Sequence, residues 1–132
     1  MAIHRDEAVR LAEAYTAAWN SRSPEAVASF FAANGVIAIN SGEPWHGREG
    51  VARMAAGFYA DVPDLKLHCD AVRAAGKHIV FLWTFQGTHS GTKRHVRVSG
   101  WEEWDLDSAR KIQSSRGWYD AEDYARQVSG NA

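Results

Sequence analysis

The hydrophobic period of this chain changes once, near residue 65, and that change limits its fold more than any other feature. Before it, apolar residues recur at helical spacing: Ala8, Leu11, Ala12, Tyr15 and Trp19, then Val51, Met54, Ala55 and Phe58. After it, Leu65, Leu67, Cys69 and Ala71 alternate with Lys66, His68 and Asp70, the period of two that a half-buried strand requires. The spacing predicts a first helix over Asp6 to Asn20. Ser23 followed by Pro24 reads as an N-cap with proline at the first helical position, and Val27, Phe30 and Phe31 give the short helix an apolar side until Asn34-Gly35 stops it. Val36 to Ile39 reads as a short strand, and Asp61-Val62-Pro63-Asp64 ends a third helix. Beyond residue 65, strands are expected over Leu65 to Ala71, Ile79 to Gln86, Val96 to Leu106 and Lys111 to Tyr119, with turns at Ala75-Gly76-Lys77, Gly87 to Gly91 and Asp107-Ser108-Ala109. Asp120, with Asp123 three residues on, reads as the N-cap of a last helix. Helices first and a strand meander afterwards is an α+β order, in which the sheet must curl over the helices to bury its apolar face.

The chain of 132 residues is long enough for one core, and residues 1–132 are expected to form one domain. A net charge of -1 excludes the basic footprint of a nucleic-acid binder. Cys69 is the only cysteine, so an intrachain disulfide and a thiolate zinc cage are both excluded. The start Met1-Ala2-Ile3-His4-Arg5-Asp6 has no apolar signal core, and no stretch reaches the roughly 20 apolar residues of a membrane span, so the expectation is a cytoplasmic protein that does not enter a membrane. His68, His78, His89 and His95 lack the spacing of metal ligands, and no glycine-rich loop follows a strand, so neither a metal nor a cofactor is expected.

Several segments carry a resemblance. Ala14-Tyr15-Thr16-Ala17-Ala18-Trp19-Asn20, Glu25-Ala26-Val27 through Phe30-Phe31-Ala32, Trp45-His46-Gly47-Arg48-Glu49-Gly50-Val51, Trp83 through Gly91 and the ending Gly117-Trp118-Tyr119-Asp120 together resemble nuclear transport factor 2-like proteins, nearest to the SnoaL-like and ketosteroid-isomerase-like branch. The resemblance covers residues 6 to 126. It implies a cone-shaped fold, a curved, largely antiparallel sheet with a mixed edge wrapped around three helices, an internal pocket and, commonly, a homodimer formed through the outer sheet face. It does not imply one activity, since this architecture hosts isomerases, cyclases, hydrolases, dehydratases and noncatalytic binding proteins.

Alternation along the fourth long strand puts Val98, Gly100, Glu102 and Trp104 on one face and Arg97, Ser99, Trp101 and Glu103 on the other. The resemblance favours the Glu102 set facing the pocket, with Phe81, Trp83 and Phe85 before it and Ser115, Gly117 and Tyr119 after it, which turns Trp101 and Trp118 outward to suit a dimer face. Tyr15 and Glu102 stand where ketosteroid isomerases keep an oxyanion hole made of a phenol and a protonated carboxylic acid. The alternative is that Tyr15 is a core residue and that Glu102 is solvated or paired with an arginine. His46, just before the third helix, is a candidate acid or base at the pocket mouth, the alternative being a loop histidine bonded to backbone. The resemblance also implies a general base near Ala38, Ile39 or Asn40 and, in the hydrolases and cyclases, an acid at Gly117; none of these four residues is a carboxylate. Trp19, Phe31, Met54, Phe58, Phe81, Trp83, Phe85 and Tyr119 are the expected walls for a small apolar or aromatic ligand. The functions in view are an isomerase, cyclase or lyase/hydrolase-like enzyme on a small hydrophobic carbonyl or polycyclic compound and, alternatively, a noncatalytic ligand-binding or dimerisation module.

Overall fold

Helix α1, Arg5–Asn20, buries the stripe Ala8, Ala12, Tyr15 and Trp19 along one side and places Asp6 and Glu7 in its first turn, where the helix dipole favours negative charge. The structure, a computed structural model, describes residues 2–130; Met1 and the last two positions of the domain expected over 1–132 lie outside the described residues. In α2, Pro24–Ala28, the Ser23 side chain accepts from the Ala26 N–H and proline occupies the first turn.

The chain then departs from the sequence reading. Strand β1 runs Phe31–Ile39, so Phe30 and Phe31 end no helix and the strand begins five residues before Val36. The cause is the neighbouring strand, whose Ile112 N–H donates to the Phe30 carbonyl and draws this segment into the sheet. Asn34-Gly35, expected as a helix stop, lies within a register irregularity between Phe31 and Val36. A Cβ on Gly35 would sit 2.6 Å from the Ile112 carbonyl oxygen, so only glycine permits this approach. A second strand, β2, holds only Trp45–His46 and pairs antiparallel with β1. Two exposed residues carry no periodicity from which to read a strand.

Helix α3, Gly47–Asp61, turns Gly50, Val51, Met54 and Ala55 inward. Strands β3 (Lys66–Ala75), β4 (His78–Thr88), β5 (His95–Leu106) and β6 (Ile112–Tyr119) follow as an antiparallel meander. Helix α4, Ala121–Ser129, starts at Asp120, whose side chain accepts from the Asp123 N–H, the capping role expected for it.

The strand order is β2-β1-β6-β5-β4-β3. Because β1 enters parallel to β6, the sheet is six-stranded and mixed, in an open α+β arrangement. Irregularities between Cys69 and Ala71 and between Asp105 and Leu106 bend the strands that carry them. Tyr15 from α1 and Val51 from α3 meet Phe81, Val98, Trp104 and Ile112 of the sheet in one continuous core. Two side-chain amides close exposed strand edges. Asn20, at the end of α1, donates to the Leu67 carbonyl at 2.9 Å and accepts from the Leu67 N–H at 2.7 Å. Gln127 of α4 does the same for Arg97 of β5, at 2.9 and 2.7 Å, where β6 has already ended.

Candidate functional site

Residues two apart on a strand share a face, so β5 aligns Val98, Gly100, Glu102, Trp104 and Leu106 inward and leaves Arg97, Ser99 and Trp101 exposed. The register sets Glu102 between Phe81 of β4 and Gly117 of β6, with Ser115 diagonally adjacent. Tyr15 reaches the same point from α1. Three donors therefore converge on one carboxyl oxygen: Glu102 Oε1 accepts from the Tyr15 hydroxyl at 2.9 Å, Trp104 Nε1 at 2.9 Å and the Ser115 hydroxyl at 2.8 Å. The other oxygen, Oε2, receives only a 3.3 Å approach from the same Tyr15 hydroxyl. Tyr15, Trp104 and Ser115 are all essentially inaccessible, and Glu102 is 7% exposed. No buried side-chain polar atom among the described residues is left without a partner.

Burial raises the Glu102 carboxyl above the usual carboxylate range, while the hydrogen bonds from Trp104, Ser115 and Tyr15 oppose that rise. The Tyr15 phenol is raised well above its ordinary value, first by burial and then by the adjacent Glu102 charge. No arginine or lysine contributes to the Glu102 shift, so the carboxyl sits among neutral groups.

Glu102 forms part of the wall of an apolar cavity of about 60 Å³ between the sheet, α1 and α3. It is the one carboxyl among the described residues that line this space. Trp19, Met54, Phe58, Phe81, Trp83, Phe85 and Tyr119 line it with Ile37, Ile39, Leu65, Leu67, Gly117 and Trp118. Phe58, Phe85, Trp83 and Tyr119 form a closed circuit in which consecutive ring centroids lie 6.3, 6.0, 6.4 and 6.3 Å apart. Three of these four are half-buried, which places this collar toward solvent. Tyr124 of α4 packs against it, its ring tilted 6.0 Å from Phe85 and edge-to-face 6.1 Å from Tyr119.

Three of the residues expected at the site lie elsewhere. Tyr15 is fully buried behind Glu102, away from the cavity wall, and gives its hydroxyl to the carboxyl. Phe31 is buried against the Tyr15 ring at 6.4 Å, one layer further from the cavity. His46 is exposed on β2, heads α3 without a side-chain cap bond and is not on the cavity wall, because the edge pairing with Val36 carries it outside. Conversely, Trp104 and Ser115 act as donors that the sequence reading left unassigned, and Ile37, Ile39, Leu65 and Leu67 are further walls. Alternation in β1 and at the start of β3 was the available signal for those four.

Among the described residues, no group of three or more His, Cys, Asp or Glu side chains could hold a metal ion. No described helix is long and apolar enough to cross a membrane.

The fold is shared with known structures. A protein of ketosteroid-isomerase-like fold from Catenulispora acidiphila, solved in complex with trimethylamine, superposes with a TM-score of 0.83 at 22% identity over 90% of this chain and 92% of its own. An LEH-like epoxide hydrolase of M. tuberculosis gives 0.75 at 17% identity, covering 96% of this chain and 92% of its own. The epoxide hydrolase/cyclase-like enzyme SalBIII, of pyran ring formation in the polyether salinomycin, gives 0.78 at 15% identity, covering 89% and 94%. At such identities the likeness speaks for the fold alone. No curated protein sequence matches the chain. The SnoaL-like domain model matches residues 12–114, most of the chain, and this protein therefore belongs to the SnoaL-like domain family.

Proposed function

We propose that this protein is a small-molecule enzyme that uses Glu102 as an acid toward the oxygen of a compact hydrophobic carbonyl compound. The observation that carries this reading is the burial of Glu102 as the one carboxyl on an apolar wall, with Oε1 held by three donors and Oε2 left with a single 3.3 Å approach. With burial favouring the neutral acid, Oε1 serves as the carbonyl oxygen for Tyr15, Trp104 and Ser115. In the neutral form the proton belongs on Oε2, the oxygen with no short partner, from which it can be offered to a ligand in the cavity. Tyr15 acts through Glu102 as a positioning residue. The aromatic collar excludes water and binds the apolar part of the ligand. The cavity of about 60 Å³ has its aromatic collar toward solvent, so the part of the ligand held beside Glu102 is its compact oxygen-bearing end. The names of two structural relatives, an epoxide hydrolase and an epoxide hydrolase/cyclase-like enzyme, are compatible with acid assistance at a ligand oxygen.

The test is a titration with 4-nitrophenol, whose absorbance separates phenol from phenolate. Wild type is expected to bind the phenolate, as a hydrogen-bond donor would, and Glu102→Ala to lose that preference. Capture of the neutral phenol by the wild type, or equal binding by the variant, rejects an acid role.

A second reading, a dimerisation module, rests on the outer face of the sheet. Leu82, Trp101 and Trp118 are direct lateral partners across β4, β5 and β6, and they are 38%, 36% and 45% exposed. Such an apolar row, with Thr84 and Ser99 on one side and Glu103 and Arg116 on the other, suits the sheet of a second copy of this chain. The two readings are compatible, as one uses the inner face and the other the outer.

A further inference from the structure

Three glycines of the antiparallel meander face inward, Gly87 on β4, Gly100 on β5 and Gly117 on β6, and they differ in what a side chain would meet. A Cβ at Gly87 would lie 2.3 Å from Val62 Cγ1 and 2.7 Å from Asp64 Oδ1. One at Gly100 would lie 2.2 Å from the Trp118 carbonyl oxygen and 2.7 Å from the Trp83 ring, which folds over that glycine to form its part of the cavity wall. Both positions are filled by neighbours. At Gly117 the nearest atoms would be the Trp101 carbonyl oxygen at 3.6 Å and Glu102 Cγ and Ile39 Cγ1 at 4.0 Å, all ordinary contact distances. Gly117 is also absent from the residues with positive φ. Neither crowding nor backbone conformation demands glycine there, and glycine weakens a strand interior. What it supplies is space, at the cavity wall and directly opposite Glu102 in the ladder.

We infer that Gly117 is a specificity-determining position: the vacancy over it, bounded by Glu102 and Ile39, is the subsite that seats the oxygen-bearing end of a ligand. This rests on the reading of the cavity as a site for a compact carbonyl compound. The subsite takes an unbranched ketone or aldehyde carbon beside Glu102 and rejects bulky substituents on that side, because one carbon placed where a Gly117 Cβ would stand is already in contact with Glu102 Cγ and Ile39 Cγ1.

The experiment compares wild type, Gly117→Ala, Gly117→Val, Gly100→Ala and Glu102→Gln by thermal unfolding and by titration with cyclopentanone, followed through the indole N–H signals of Trp19 and Trp83. Gly117→Ala is expected to melt no lower than wild type, and Gly100→Ala several degrees lower. Cyclopentanone affinity is expected to fall about tenfold or more in Gly117→Val through occupation of the vacancy. A melting loss in Gly117→Ala matching that of Gly100→Ala overturns the inference, because the position would then be crowded. Binding lost in Glu102→Gln but intact in Gly117→Val overturns the inference and leaves the ligand-site reading standing. Absence of any saturable shift in wild type removes both.

Discussion

The Tyr15 hydroxyl on α1 lies 2.9 Å from Glu102 Oε1 on β5, a hydrogen bond between residues 87 positions apart. It ties the first helix to the middle of the sheet at the one acidic point of an apolar wall. Tyr15→Phe keeps the ring contacts with Trp104 and Phe81 and removes only this donor. Unfolding by urea is expected to give a loss of about 1 to 2 kcal/mol. The carboxyl should also titrate at a still higher pH, because a bond that opposed the rise is gone. Carbon-detected NMR of the Glu102 carboxyl reads this directly, and a downward movement contradicts it.

Glu102 itself makes stability depend on pH in a defined sense. Its carboxyl is raised in the folded chain relative to about 4.3 in the unfolded one. Below both values both states hold the proton. As pH climbs from about 4.3 toward the folded value, the unfolded chain ionises first and folding loses stability, after which the effect is constant. The stability of wild type minus that of Glu102→Gln is therefore expected to fall between about pH 4 and the folded value and then level off. Paired urea denaturations across that range check it, and a difference that grows with pH refutes it. Subtraction is needed because Asp64, Glu103 and Asp105 are lowered and act in the opposite direction.

Alternation over a long strand leaves two phases for β5, each burying a glutamate, and it is the resemblance to ketosteroid isomerases, not the period, that favoured turning Glu102 inward. Tyr15 was legible as a buried helix position from its helical spacing. What period alone could not supply was the third coordinate. Whether Tyr15 stops at the cavity or behind the carboxyl depends on how α1 lies over β5, and the donor roles of Trp104 and Ser115 depend on register between strands. Phe30 and Phe31 suit a helix side and a strand equally well, so the start of β1 was decided by the Ile112 N–H, a partner 82 residues from Phe30.

Helix α4 buries no residue completely, so its attachment depends on a few contacts. Gln127→Ala leaves the Arg97 N–H and carbonyl without their amide partner. Amide exchange at Arg97 is expected to quicken, with a stability loss of about 1 kcal/mol. Unchanged exchange at Arg97 would mean that water serves this edge equally well.

The outer face predicts an assembly. Wild type is expected to sediment as a dimer, and Trp101→Ala with Trp118→Ala together as a monomer, since these two register partners supply most of the exposed area of the apolar row. A monomeric wild type removes the second reading. A double variant that remains dimeric removes these tryptophans from it.

The amide that Asn20 lends to Leu67 reaches beyond local bonding. One margin of the sheet has an occupied rung where an incoming chain would read main-chain donors and acceptors, and the opposite margin ends in a strand of two residues. Fibre growth proceeds by adding strands at such margins. A copy arriving there meets a rung already taken at Leu67 on one side and only two residues of strand on the other.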